Sequence, residues 1–273
     1  AVQERPGWDA LTGVMTREWN YFQMPATYNN LVQGLGGITT ASQVSAEKHP
    51  FIKPANALGL RLTDHFTLKT NDPLAGFWLD GLPNTIDPRS YKTYIIPDDF
   101  TNSDFGDQTA RSTQRALKDN DGDTVLLVDA KFHYNGIVNG DWGEKGTKNE
   151  LRSYNGTTPR HGQKYRNSSN KRVFFAEWET YFLLAEAAVR GWSTPMGGKA
   201  AYEAGIDASF AYHGVSAFAS AYKTSTDFSN VGTSVSWDHT TEPPAERIIT
   251  YKDGYTNVAD TVPLSYPSNT LYM

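Results

Sequence analysis

Aromatic side chains stand beside amide and carboxylate side chains in the loops of this sequence, and that combination is typical of sugar recognition. Tyr134, Asn139, Asp141 and Trp142 occur together in one short stretch, and Trp78 lies in an earlier segment rich in turn residues. The apolar faces of sugar rings stack on Trp and Tyr, whereas Asp and Asn bind hydroxyl groups. We predict that these five residues contribute to a ligand site. Anchoring of the loops onto the protein body is the alternative for each of them.

Three alternating aspartates form a second cluster that could do chemistry. Asp119, Asp121 and Asp123 occur in the run LKDNDGDT, with the spacing that calcium ligands use. The EF-hand template requires glycine at its sixth position and glutamate at its twelfth, where this chain has Thr124 and Ala130. The EF-hand template therefore fails. An acidic turn is one hypothesis for this cluster, and a Ca²⁺ site is the other. No other cofactor is predicted.

The residue patterns argue against catalysis. Neither Gly-x-Ser-x-Gly nor His-Glu-x-x-His occurs, the six histidines lack ligand spacing, and the sequence contains no cysteine. Asp141 and Glu144 form one of several carboxylate pairs, and a glycosidase needs two carboxylates at a defined separation. A sequence does not reveal that separation. We predict a non-catalytic protein, with a glycan-degrading enzyme as the alternative.

Composition excludes several classes of protein. The chain has 25 basic and 30 acidic residues, a formal net charge of −5, and so lacks the basic footprint of a nucleic-acid binder. No apolar run approaches the roughly 18 residues that a membrane-spanning helix needs. Only 38% of the residues are hydrophobic, and 23 Gly and 14 Pro indicate long loops, the longest over 135–171.

Helical periodicity is clearest over 174–213. Gly191 ends a first helical run, and a loop with Pro195 leads to a second run over 199–213. The two runs predict an antiparallel helical hairpin. The residues predicted on the buried arc of its first helix are Phe174, Trp178, Tyr181, Phe182, Ala185, Ala188 and Val189.

Other segments predict shorter elements around this hairpin. Helices are expected within 1–23 and over 215–222, whereas strands are expected at 58–62, 124–128, 235–237 and 248–251. The fold class expected from these segments is mainly α, with long loops and a few short β-strands.

Two runs in the hairpin carry a family resemblance. ETYFLLAEAAVRGW at 179–192, followed by GKAAYEAGIDAS at 198–209, resembles the signature of the SusD/RagB family of Bacteroidetes. Asp-Pro-Arg at 87–89, with Tyr91 and Tyr94 after it, is similar to a further family landmark. The resemblance implies tetratricopeptide-like helical hairpins with long loops that carry the ligand site. It also implies that 1–273 is a single SusD/RagB-like domain, incomplete at both ends.

The resemblance has functional implications too. Members are outer-membrane lipoproteins that act as lids on TonB-dependent transporters and capture glycans or, in the RagB branch, peptides. We therefore expect a protein on the outward-facing surface of the cell outer membrane, held there only by a lipid anchor that this chain does not contain. A glycan ligand is favoured by the aromatic loops, and a peptide is the alternative. A scaffold protein that uses its helical repeats for protein contacts is the rival class.

Overall fold

Helices form most of the regular structure, and strands occur as short pairs. The computed structural model describes residues 2–3, 24–53, 81–99, 114–118, 124–129, 131–134, 140–141, 150–151, 159–166, 171–252 and 259–265. Most of the predicted N-terminal helix and the predicted strand at 58–62 lie outside these ranges. The helices are α1 Ala26–Val32, α2 Ser90–Thr93, α3 Gln163–Arg166, α4 Glu177–Val189, α5 Gly198–His213 and α6 Ala219–Thr224. Short 3₁₀ turns cover Leu35–Gly37, Thr40–Ser42, Ala46–Phe51 and Ser216–Phe218.

The strands of the described residues pair only in twos. They are β1 Val2–Gln3, β2 Ile52–Lys53, β3 Leu82–Pro83, β4 Tyr94–Ile95, β5 Gln114–Lys118, β6 Thr124–Asp129, β7 Gly140–Asp141, β8 Glu150–Leu151, β9 Arg160–His161, β10 Lys171–Arg172, β11 Glu246–Lys252 and β12 Ala259–Ser265. β2 and β3 are parallel, and the other pairs, β1 with β10, β4 with β9, β5 with β6, β7 with β8 and β11 with β12, are antiparallel.

The predicted helical hairpin is confirmed as α4 and α5, with one correction at each end of its first helix. Ala176 is extended, and its N–H donates to the Glu179 carboxylate at 3.3 Å, so α4 begins at Glu177. Phe174 consequently precedes the helix and is 87% exposed, and its predicted place on the buried arc is wrong. Val189, the last residue of α4, is 70% exposed, so its predicted place on that arc is wrong as well. The predicted stop is confirmed, because Gly191 adopts φ +79° and the Trp192 N–H reaches back to the Ala187 carbonyl at 3.0 Å.

Small residues let the two helices of the hairpin approach closely. Gly205 of α5 faces Phe182 of α4, and a Cβ atom at Gly205 would lie 2.7 Å from the Phe182 ring. Such a contact is sterically forbidden, so the tight crossing depends on glycine at this position. Phe182 thereby packs over the α5 backbone, and Ala185 is buried beside it.

The described residues form two apolar clusters. One brings together residues from the N-terminal half and the segment near 132, and the other brings together α5, α6 and their neighbours. The first contains Met24, Val32, Leu82, Ile86, Tyr91, Tyr94, Ile96, Phe132 and Tyr134. The second contains Ile38, Ile206, Phe210, Val215, Ala219, Tyr222 and Val235.

Outside the hairpin, some of the predicted elements form and one does not. The strand predicted at 124–128 is confirmed as β6 and the strand at 248–251 as part of β11, whereas the helix at 215–222 forms as a 3₁₀ turn followed by α6. The strand predicted at 235–237 is wrong. There the Val235 carbonyl accepts a hydrogen bond from the Tyr202 hydroxyl, and the Ser236 N–H donates to Ser225, so no strand ladder forms.

The expected fold class is confirmed for the described residues, which are mainly α, with a helical hairpin and short strands. No helix within the described ranges is both long and apolar enough to cross a membrane.

Candidate functional site

The structure does not bring the predicted loop residues together. Trp78, Asn139 and Trp142 lie outside the described residues, and of Asp141 only the backbone is described, paired with Glu150 in β7–β8. Their part in ligand binding stays a prediction.

Tyr134 differs from the other four predicted site residues, because its side chain is fully buried in the first core cluster. Its ring meets that of Tyr91 edge-on, with centroids 5.2 Å apart, and burial raises the pKa of its hydroxyl. A ring with no exposed face cannot stack on a ligand at the surface. The interior position corresponds to the anchoring alternative, and the site described below does not include Tyr134.

The aspartates considered for calcium also lie outside the described residues. Asp119, Asp121 and Asp123 fall between β5 and β6, which pair antiparallel. The Ca²⁺ hypothesis therefore stays a prediction. Elsewhere, the part of the chain that the structure describes contains no group of three His, Asp or Glu side chains placed to hold a metal ion.

A buried ion pair between Asp87 and Arg89 lies where the two core clusters meet. The Arg89 Nε and Nη2 atoms donate to the two carboxylate oxygens at 3.0 and 2.6 Å, and the Arg89 backbone N–H donates to Oδ1 at 2.9 Å. The carboxylate is 2% exposed and the guanidinium side chain 26% exposed. A bidentate ion pair of this kind fixes both side chains in position.

Two distant residues complete the surroundings of the ion pair. Arg89 Nη1 donates to the Ser209 hydroxyl of α5 at 3.0 Å, and Nη2 donates to the Tyr222 hydroxyl of α6 at 3.0 Å. Tyr222 in turn donates to Asp87 at 2.6 Å. Burial and the neighbouring carboxylate raise the pKa of Tyr222, so its hydroxyl stays a donor. The network joins three segments far apart in the chain.

One donor of Arg89 is left over from this network. A guanidinium carries one N–H on Nε and two on each terminal nitrogen. Asp87, Tyr222 and Ser209 take the Nε donor, both Nη2 donors and one Nη1 donor. Among the described residues the second Nη1 donor has no partner. Burial opposes the charge of Arg89, but the hydrogen bond and charge of Asp87 outweigh it, so its pKa is raised and the group stays cationic.

Arg89 lines a pocket of about 350 Å³. We call it the Arg89 pocket; its walls come from α1, the Asp87–Thr93 segment, α4 and α5. The volume lies at the low end of the range for small-ligand sites. Its lining residues are Tyr28, Leu31, Val32, Leu35, Asp87, Arg89, Thr93, Trp178, Ser209 and His213.

His213 gives the Arg89 pocket a hydrogen-bond acceptor. Its Nδ1 lies 2.8 Å from the Ser209 carbonyl, which can only accept, so Nδ1 carries the hydrogen. Burial, assisted by the charges of Arg89 and Lys164, lowers the pKa of His213, although the hydrogen bond to Ser209 opposes this shift. The imidazole is therefore neutral at pH 7, and Nε2 is an acceptor for which the described residues supply no partner.

Trp178 adds an aromatic ring to the same pocket. It is half-buried near the start of α4, and its ring centroid lies 5.0 Å from that of Tyr212 and 6.2 Å from that of His213. The Arg89 pocket thus combines an N–H donor, a nitrogen acceptor and an aromatic ring, the three groups that bind a polyhydroxylated ring.

Sequence reasoning did not place these residues in a site. The sequence presents Asp87 and Arg89 only within the Asp-Pro-Arg run, predicts Trp178 on the buried arc of the first helix, and predicts His213 at the end of the second helix. The Asp-Pro-Arg run at 87–89 was the available signal. A carboxylate followed two residues later by arginine can form an ion pair, and such a pair, once buried, binds further polar side chains.

Comparison with known proteins identifies a family. Residues 116–257, more than half of the chain, match the family model described as "SusD-like: Susd and RagB outer membrane lipoprotein". The match includes Trp178, Ser209 and His213 of the Arg89 pocket. No curated protein matches the chain.

One solved structure is also similar, a SusD homolog from Parabacteroides distasonis ATCC 8503. The identity is 20%, the TM-score is 0.44, and the match covers 80% of this chain and 32% of that one. The chain thus spans about a third of the length of that protein.

Proposed function

This chain belongs to the SusD-like family of outer-membrane lipoproteins, and we propose that it binds a glycan nutrient without catalysis and delivers it to a TonB-dependent transporter. In this proposal the protein faces outward from the outer membrane, to which a lipid attaches it. The family description supports the membrane location and the lipid. Glycan binding, the outward orientation and the partner transporter are our proposals.

The observation that carries glycan binding is the set of groups in the Arg89 pocket. A sugar hydroxyl can accept from Arg89 Nη1 while a neighbouring hydroxyl donates to His213 Nε2. The Trp178 ring offers a surface for the apolar face of the same sugar. The ion pair with Asp87 holds the guanidinium before a ligand arrives, so little side-chain freedom is lost on binding.

The environment of Asp87 supports binding rather than hydrolysis. Its carboxylate accepts hydrogen bonds from Arg89 and from Tyr222, so both oxygens serve to hold the pocket together. It is also the one carboxylate among the described residues that line the Arg89 pocket. Glycoside hydrolysis requires a pair of carboxylates on either side of the scissile bond.

Isothermal titration of the purified protein against an oligosaccharide panel and a peptide panel tests this function. We expect heat of binding with at least one oligosaccharide and no sugar product after prolonged incubation. Binding of peptides alone would replace glycan by peptide as the ligand class, and released product would indicate an enzyme. The absence of binding heat in both panels would favour a scaffold protein.

A pair of tryptophan variants locates the site. Trp178→Ala should weaken glycan binding by about 2- to 13-fold, since an aromatic stacking contact contributes about 0.5–1.5 kcal/mol. Trp192→Ala is the matched control, because Trp192 follows the same helix, is 67% exposed and does not line the pocket. Equal affinities of the two variants would remove the Arg89 pocket from the proposal. Copurification of the transporter from native outer membranes tests the proposed partner.

A further inference from the structure

A run of basic residues that no acidic residue interrupts lies beside the Arg89 pocket. Over 160–172 the chain has five lysine and arginine residues and no aspartate or glutamate. β9 and α3 lie within this basic run, and of its five cationic side chains the structure describes that of Lys164 in α3. An excess of one sign of charge makes the potential around such a segment positive.

Two hydrogen bonds attach the basic run to the walls of the pocket. The Gly162 N–H donates at 2.8 Å to the carbonyl of Thr93, which lines the pocket at the end of α2. Lys164 Nζ donates at 3.1 Å to the carbonyl of Tyr212, near the C-terminal end of α5. The basic run is therefore fixed against α2 and α5 together.

The ammonium group of Lys164 lies at the rim of the pocket, over the Tyr212 ring. Its Nζ is 4.2 Å from the centroid of that ring, which is itself 5.1 Å from the His213 ring and 5.0 Å from the Trp178 ring. His213 and Trp178 both line the pocket. Burial and the charges of Arg89 and Lys164 lower the pKa of His213, so the positive potential extends to the pocket wall.

No carboxylate within the described ranges balances the positive charge at the rim. Lys164 forms no ion pair there, and its hydrogen bond is to a neutral carbonyl. Asp87, the carboxylate inside the pocket, is already paired with Arg89. The acids of the first turn of α4, Glu177 and Glu179, do not line the pocket. The pocket together with its rim therefore has a net positive charge.

From this charge we infer that the ligand of the Arg89 pocket is an acidic glycan, with a carboxylate or a sulfate group on the sugar ring that enters. The inference rests on the proposed function, because it names the class of glycan that the same pocket binds. The anionic group accepts from the Arg89 Nη1 donor that has no partner among the described residues, and a ring hydroxyl still donates to His213 Nε2. A hydrogen bond between two charged groups is roughly twice as strong as a neutral one, and Lys164 adds attraction at longer range.

The test compares each acidic sugar with its own neutral form by titration calorimetry. Oligosaccharides of galacturonate, mannuronate and glucuronate are paired with their methyl esters, and sulfated galactan oligosaccharides are paired with their desulfated forms. The two kinds of pair distinguish a carboxylate from a sulfate. Each sugar is titrated into wild type and two variants, at low and at physiological salt.

The variants remove one lysine charge each, at opposite ends of α5. Lys164→Gln removes the charge at the rim of the pocket, beside the C-terminal end of α5. Lys199→Gln is the matched control, because Lys199 lies near the N-terminal end of α5, where it pairs with Asp238.

In wild type and Lys199→Gln at low salt, at least one acidic sugar should bind about 5-fold or more tightly than its neutral form. Lys164→Gln should reduce this preference by about 2- to 5-fold, and added salt should reduce it in wild type. Neutral forms that bind as tightly as the acids, or a preference that is the same in both variants, overturn the acidic ligand and leave the proposed function standing. If no glycan binds, acidic or neutral, the inference and the proposed function are both overturned.

Discussion

Replacement of Arg89 by methionine should lower the free energy of unfolding by about 3–5 kcal/mol. The partner carboxylate of Asp87 is 2% exposed, so water cannot replace the lost guanidinium. Tyr222 and the backbone N–H of residue 89 still donate to this carboxylate, but they carry no compensating charge. The magnitude therefore comes from leaving a buried charge without its counterion, and methionine keeps most of the apolar stem of arginine.

Urea unfolding followed by tryptophan fluorescence measures this loss, with the slope of the transition as a check on two-state behaviour. Arg190→Met is the matched control. It removes an arginine whose ion pair with Glu186 lies at the surface, with the Arg190 side chain 62% and the Glu186 side chain 55% exposed, and it should cost less than about 1 kcal/mol. The two experiments thus compare a buried ion pair, whose arginine also binds Ser209 and Tyr222, with an exposed ion pair.

The double variant Asp87→Asn/Arg89→Met completes the cycle. Because it removes both charges, it should be more stable than the sum of the single losses predicts. Losses of equal size for Arg89→Met and Arg190→Met would refute the reasoning, as would strict additivity at Asp87 and Arg89.

Four further predictions address other parts of the chain. Gly205→Ala should destabilise the protein by about 1–3 kcal/mol in the same urea assay, because the added methyl group would meet the Phe182 ring at 2.7 Å. As the pH falls from 6.5 towards the lowered pKa of His213, the unfolded chain takes up a proton that the folded protein does not, so the free energy of unfolding should decrease. In unfolding measured at several pH values, His213→Gln should reduce this dependence of stability on pH. If the loop platform exists, Trp142→Ala should weaken glycan binding by about 2- to 13-fold in titration calorimetry, and unchanged affinity would exclude Trp142 from the site. If the acidic turn holds Ca²⁺, calcium should raise the unfolding temperature of wild type and not of Asp121→Ala, and equal temperatures with and without calcium would reject the site.

The helical hairpin could be predicted from sequence because its signals are local. Apolar spacing along α4, the stop at Gly191 and the small residues of α5 act within a few residues of one another, and the hairpin that they predict is confirmed. The short strands at 124–129 and 246–252 were likewise marked by their own composition. The exposure of Phe174 was not predictable in this way, because a cap made by Glu179 decides where the helix begins.

The candidate site depends on contacts that no local pattern contains. Arg89 meets Ser209 and Tyr222 across 120 and 133 residues of chain, and these contacts define the wall of the Arg89 pocket. The surroundings of Tyr134 could not be predicted from local sequence either. Its neighbours in sequence suggested a ligand platform, whereas Tyr91 and the rest of the core enclose it.

By itself, the sequence determined the helical hairpin, the mainly α fold class and the resemblance to a family, since all three depend on short-range order of residue types. Tertiary structure alone decided which aromatic rings stay exposed and which polar groups keep an unused donor or acceptor. The physical reason is that burial and hydrogen-bond satisfaction are properties of the folded surroundings. Among the described residues, the donor of Arg89 and the acceptor of His213 that have no partner come together only because α4, α5 and the Asp87 segment meet at one pocket.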